Sequence, residues 1–90
     1  MRIPRVKWDE LREMAWQWDP IGVADAREFA ADEYDCLIEQ VVPLLQRGAD
    51  APEVVTHFVQ FFPEHFGLPL QAGAEEFAEK SVAWWRSLQG

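Results

Sequence analysis

The sequence predicts an all-α fold, a compact bundle of four helices with short connections. Three observations predict it. Apolar residues recur at helical spacing in four stretches. Proline and glycine fall between those stretches, where helices stop and start. No stretch carries the alternating pattern of a half-buried strand. Ninety residues are one domain, 1–90, with room for one core.

Helix 1 is expected over about 7–17. Trp8, Leu11, Ala15 and Trp18 share a face, with Met14 beside them. Pro4 biases Ile3 toward an extended arm before it. Asp9 and Glu10 are read as first-turn acids favoured by the helix dipole. Trp18-Asp19-Pro20 stops the helix, because proline disfavours a helical residue before it. Gly22 opens backbone conformations closed to other residues, so 18–28 is expected to be an ordered loop pinned by Ile21 and Val23.

Helix 2 is expected over about 30–47. Tyr34, Leu37, Ile38, Val41, Leu44 and Leu45 form one apolar stripe, and Gly48 takes the position after the end. Pro43 falls on the polar side with Glu39, Gln40 and Gln46, so a kink is expected there rather than a break. Helix 3 is expected over about 51–65. Asp50 caps it, Pro52 suits its first turn, and Glu53 completes a capping box. Val54, Val55, Phe58, Val59, Phe61 and Phe62 cover an arc of roughly 160°, wider than an ordinary amphipathic face, which makes this helix the expected centre of the bundle. Pro63 is expected to end or kink it, and Gly67 to end it. Helix 4 is expected over about 74–88. Phe77, Ser81, Trp84, Trp85 and Leu88 face inward, with Glu75, Glu76 and Glu79 early and Lys80 and Arg86 late.

The chain carries 16 acidic and 8 basic residues, a formal charge of −8. Such a chain repels nucleic acid and anionic membrane surfaces and attracts a basic protein partner. Seven acids lie between Asp19 and Glu39, against the single base Arg27. The first twelve residues run the other way, with Arg2, Arg5, Lys7 and Arg12 against Asp9 and Glu10. The lone cysteine, Cys36, excludes an internal disulfide and a multi-cysteine zinc site. No apolar run approaches a membrane span, and no signal peptide is recognisable, so a cytoplasmic protein is expected.

Four constellations are candidates for chemistry. Trp18, Asp19, Pro20 and Gly22 form a helix stop and tight turn, read as structural, with Asp19 accepting bonds from nearby amides. Asp32, Asp35 and Glu39 stand at i, i+3 and i+7 on one helix face, beside Tyr34, whose hydroxyl needs a partner. Those three acids could hold a divalent cation through oxygen, yet a solvated acidic face is the better reading, and no metal or cofactor is expected. His57 and His65 are eight apart with Pro63 between them, a poor metal pair. Phe61, Phe62, Trp84 and Trp85 are two adjacent aromatic pairs. Neighbours on a helix point about 100° apart, so one member of each pair can reach a helix edge and build a contact patch. The only serines, Ser81 and Ser87, stand in the last helix with no triad around them, and the five glycines are scattered, so there is no phosphate loop.

The order Trp18-Asp19-Pro20-Ile21-Gly22-Val23, then Asp32-Glu33-Tyr34-Asp35, then Gly67-Leu68, resembles a family of small bacterial all-helical proteins, a domain of unknown function. The resemblance spans roughly residues 16–70. It implies a helical fold in a bacterial cytoplasm and brings no catalytic residues with it. The functional expectation is a non-enzymatic, acidic protein-binding module. Immunity proteins that neutralise nuclease toxins share its size, acidity and helical build, an analogy of class that carries no residues across. The alternative is a structural homo-oligomer, such as a homodimer, that buries its aromatic surplus between copies. A third reading is a divalent-cation-dependent enzyme using Asp32, Asp35 and Glu39.

Overall fold

The computed structural model describes residues 5–20, 22, 28 and 34–89. Among them it has four helices and no strand. These are α1 (Arg5–Trp18), α2 (Asp35–Gln46), α3 (Ala51–Phe66) and α4 (Ala74–Gln89). The radius of gyration is 12.5 Å, close to the ~12 Å expected of a folded chain of this length. The all-α bundle read from the sequence is the observed architecture.

The local signals explain most of the ends. Asp50 accepts from the Glu53 amide at 3.0 Å, and the Asp50 amide donates back to Glu53 Oε1 at 3.4 Å. This reciprocal box starts α3 as its residues require. The end of α2 is a Schellman turn. Ala49 N donates to Leu44 O and Gly48 N to Leu45 O, with Gly48 at φ 84°. Pro43 is exposed inside an uninterrupted α2. Pro63 likewise sits within α3, which runs on to Phe66 before Gly67, at φ 69°, turns the chain away. Proline removes the amide that would serve Val59 O, but Val59 is on the solvent side, where water can take that carbonyl.

Two boundaries and the centre of the bundle differ from expectation. α1 begins at Arg5, so Asp9 and Glu10 fall in its second turn. They take side-chain partners instead: Asp9 accepts from Arg12 at 2.6 Å and Glu10 from Lys7 at 3.2 Å. α2 starts at Asp35, with Tyr34 in the turn before it. The expected start at 30 and the pins Ile21 and Val23 lie outside the described residues, as does most of the 18–28 loop. Finally, α4 rather than α3 is the hub. It packs on each of the other three helices. The wide arc of α3 is not fully used: Val54, Phe58 and Phe62 are buried, while Val59 is 54% exposed.

The two sequence motifs meet in space. The Tyr34 hydroxyl donates to Asp19 Oδ1 at 2.6 Å. Asp19 itself sits at φ 46°, a left-handed conformation that aspartate tolerates better than most residues. Its amide closes on Ala15 O and its carbonyl accepts from Gly22 N, so the stop after α1 is a hydrogen-bonded turn. The Asp19 side chain also accepts from across the bundle. The Tyr34 ring lies edge-on to buried Trp16, with centroids 4.7 Å apart. Trp18 crosses to the other side. Its ring stacks on Phe77 at 5.0 Å, and its indole N–H donates to Ala72 O at 2.7 Å. Pro20 is buried as well. Through Trp18, Asp19 and Tyr34, the motif of Trp18, Asp19, Pro20, Gly22 and Tyr34 fastens the end of α1 to the starts of α2 and α4.

Candidate interaction surface

The residues expected to form a surface are dispersed by the structure. Phe62 and Trp85 are core residues, which removes both from any contact patch. Their neighbours Phe61 and Trp84 are half-buried at helix edges. Trp84 donates its indole N–H to Glu10 Oε1 at 3.2 Å. The Glu10 carboxyl is held below its ordinary value by hydrogen bonds from Lys7 and then Trp84.

The acidic face of α2 is only partly assembled. Asp32 lies outside the described residues. Asp35 accepts a forked pair of bonds from Arg12, at 2.8 and 3.4 Å. That pairing raises the Arg12 guanidinium above its already high value. Glu39 is exposed. A fixed guanidinium beside Asp35 supplies the positive charge that a cation would bring. Among the described residues no three His, Cys, Asp or Glu side chains come together as metal ligands. The histidines serve the helices: His57 shares a hydrogen bond with Gln40 at 2.8 Å, and exposed His65 stacks flat on Phe61 at 4.9 Å. Cys36 is half-buried.

A different surface stands out, between the first half of α3 and the outer edge of α4. It begins in the sequence Glu75-Glu76-Phe77-Ala78-Glu79-Lys80. Glu76 has Lys80 one turn later and pairs with it at 3.0 Å. Glu75 has Glu79 at that position, and Glu79 has Ala83. Glu75 and Glu79 are exposed and hold no ion pair among the described residues. Two like charges one turn apart repel.

These carboxylates stand over an apolar strip. A hollow of about 440 Å³ separates them from Ala51, Pro52, Val55 and Thr56 of α3. It continues past Val55 and Glu75 into a hollow of about 260 Å³ beside Leu70 and Ala74. In the other direction, past Pro52 and Glu79, it meets a third of about 370 Å³ reaching Val82, Ala83 and Arg86. The shared residues make one groove, with acids along the α4 rim and one base, Arg86, at an end. The Thr56 hydroxyl is spent on Pro52 O at 2.9 Å, so it offers the groove no free donor. The hollows are open to solvent.

Sequence reading misses this groove. Its signal lies in α4, as two acids at i and i+4 with no base to answer them. Its apolar floor is hidden, because Val55 reads as part of the inward arc of α3. No family model, curated protein or solved structure matches this chain.

Proposed function

We propose that this chain is an acidic, non-catalytic protein-binding module whose partner presents a basic surface. One observation carries the proposal: Glu75 and Glu79, which hold no ion pair among the described residues, flank an apolar groove on the outside of the bundle. Exposed carboxylates that repel each other are stabilised by a cationic partner, and apolar floor area adds binding energy when covered. The net charge of −8 acts in the same direction by steering a basic protein toward the whole molecule. An immunity- or inhibitor-like role fits this class. The cation-dependent enzyme reading is weakened, since Asp35 already carries Arg12.

The test is a paired affinity capture from lysate of the source cell, with wild-type protein and E75K/E79K as baits. A protein retained by the first and lost from the second, then rebuilt as a purified pair, supports the module. Equal retention by both baits, or none by either, removes it.

A self-associating structural protein remains the second reading, favoured by a separate feature. Val59 and Leu68 are exposed large aliphatic side chains, 54% and 39% accessible, which a second copy could cover. Sedimentation as a monomer at high micromolar concentration would dispose of it.

A further inference from the structure

Resting on the protein-binding reading above, we infer that the α3–α4 groove takes an amphipathic helix of a partner protein, with two basic residues one turn apart beside an apolar stripe. The argument starts from the groove walls. Both are helices, whose backbone amides and carbonyls are used internally. An extended segment laid between them would find no sheet edge to pair with, and its own backbone groups would face an apolar floor. A helix brings its backbone already satisfied.

The dimensions agree with a helix. From Ala74 to Arg86 the rim of α4 extends about 18 Å, three turns of an occupant. Glu75 and Glu79 are separated by one turn, about 6 Å along the axis. Lysine or arginine at i and i+4 of a helix lying along α4 repeats that spacing. The apolar stripe of the same helix then falls on Val55, Pro52 and Leu70. Arg86, at the far end, sets a direction, favouring an acidic residue or a helix C-terminus there. Charge decides against a second copy as occupant. The chain is at −8 and each described helix presents exposed acids, which the acidic rim of the groove repels.

The probe is a pair of Leu/Ala-based peptides of about sixteen residues and identical composition, both helical by circular dichroism. One carries arginines at i and i+4 flanking the leucine stripe, the other at i and i+2. Binding to the full chain is read by fluorescence anisotropy. The i, i+4 peptide is expected to bind about tenfold tighter, as two charge-assisted pairs formed or missed would give. E75Q/E79Q, which keeps the size of both side chains, is expected to abolish that preference and flatten the salt dependence. Equal binding of the two peptides, or a preference that survives E75Q/E79Q, overturns the inference. So does a dimer that E75Q/E79Q dissociates in sedimentation, since the occupant would then be a second copy. A captured partner lost from E75K/E79K, together with indifferent peptides, would leave the protein-binding reading standing and remove only its helical form.

Discussion

Tyr34 and Asp19 tie the turn after α1 to the start of α2. The hydroxyl reaches the carboxylate at 2.6 Å, joining the residue that stops α1 to the one that precedes α2. A bond to a charged acceptor contributes more than a neutral one. Tyr34→Phe is therefore expected to cost about 1.5 kcal/mol, seen as a lower urea midpoint with unchanged slope. The second residue-scale contact is steric. A Cβ on Gly73 would lie 2.8 Å from Cδ1 and Nε1 of the Trp18 indole, and φ there is 94°. Gly73→Ala is expected to lose about 2–3 kcal/mol, from clash and from a left-handed backbone together. The two causes separate in a double-mutant cycle. In a Trp18→Phe background the smaller ring leaves space, and only the backbone part should remain. An additive cycle would mean that the indole does not hold Gly73 as described. Neither contact is legible in the sequence. Trp18 and Gly73 are brought together by the fold, as are Trp16, off the apolar stripe of α1, and the Tyr34 ring it meets.

At the scale of elements, legibility follows the range of the forces involved. The start of α3 is readable to the residue because its cap, its proline and its Glu53 all act within one turn. Asp50→Ala is expected to cost about 1 kcal/mol and to speed hydrogen exchange at Val54 and Val55 before it touches α4. Uniform exchange across α3 would show that packing, not the box, holds this end. The end of α2 is readable for the same reason, through Gly48. The start of α1 is not, because nothing among its first residues is a strong cap, and the acids at Asp9 and Glu10 suggest a start too far along. Pro63 misleads in the opposite sense. A proline predicts a stop from local sterics, yet Phe62 and Phe66 pack against the bundle on either side and keep the helix going. The wide apolar arc of α3 suggests a central helix, whereas part of that arc faces outward as groove floor and as exposed Val59. Hydropathy reports how much of a face is apolar and is silent on what covers it.

For the whole molecule, the groove sets stability against binding. Glu75 and Glu79 repel each other across one turn, and a chain at −8 has general self-repulsion to add. Glu79→Lys removes one like-charge pair and gives Glu75 a lysine partner one turn later, with the acid on the N-terminal side, the better orientation. The gain is expected to be about 0.5–1 kcal/mol, or roughly 2–6 °C in Tm for a domain of this size. The same change should weaken any basic partner, because the rim loses one carboxylate and acquires a repelling charge. A variant that is more stable and binds less shows that the rim trades stability for binding. Salt separates this from a nonspecific effect. At about 0.5 M NaCl both repulsion and the new pair are screened, and the Tm difference between Glu79→Lys and wild type should shrink toward zero. A Glu79→Lys protein that melts at or below the wild-type temperature in low salt would show that Glu79 has a stabilising partner, and the case for an unanswered acidic rim would fall with it.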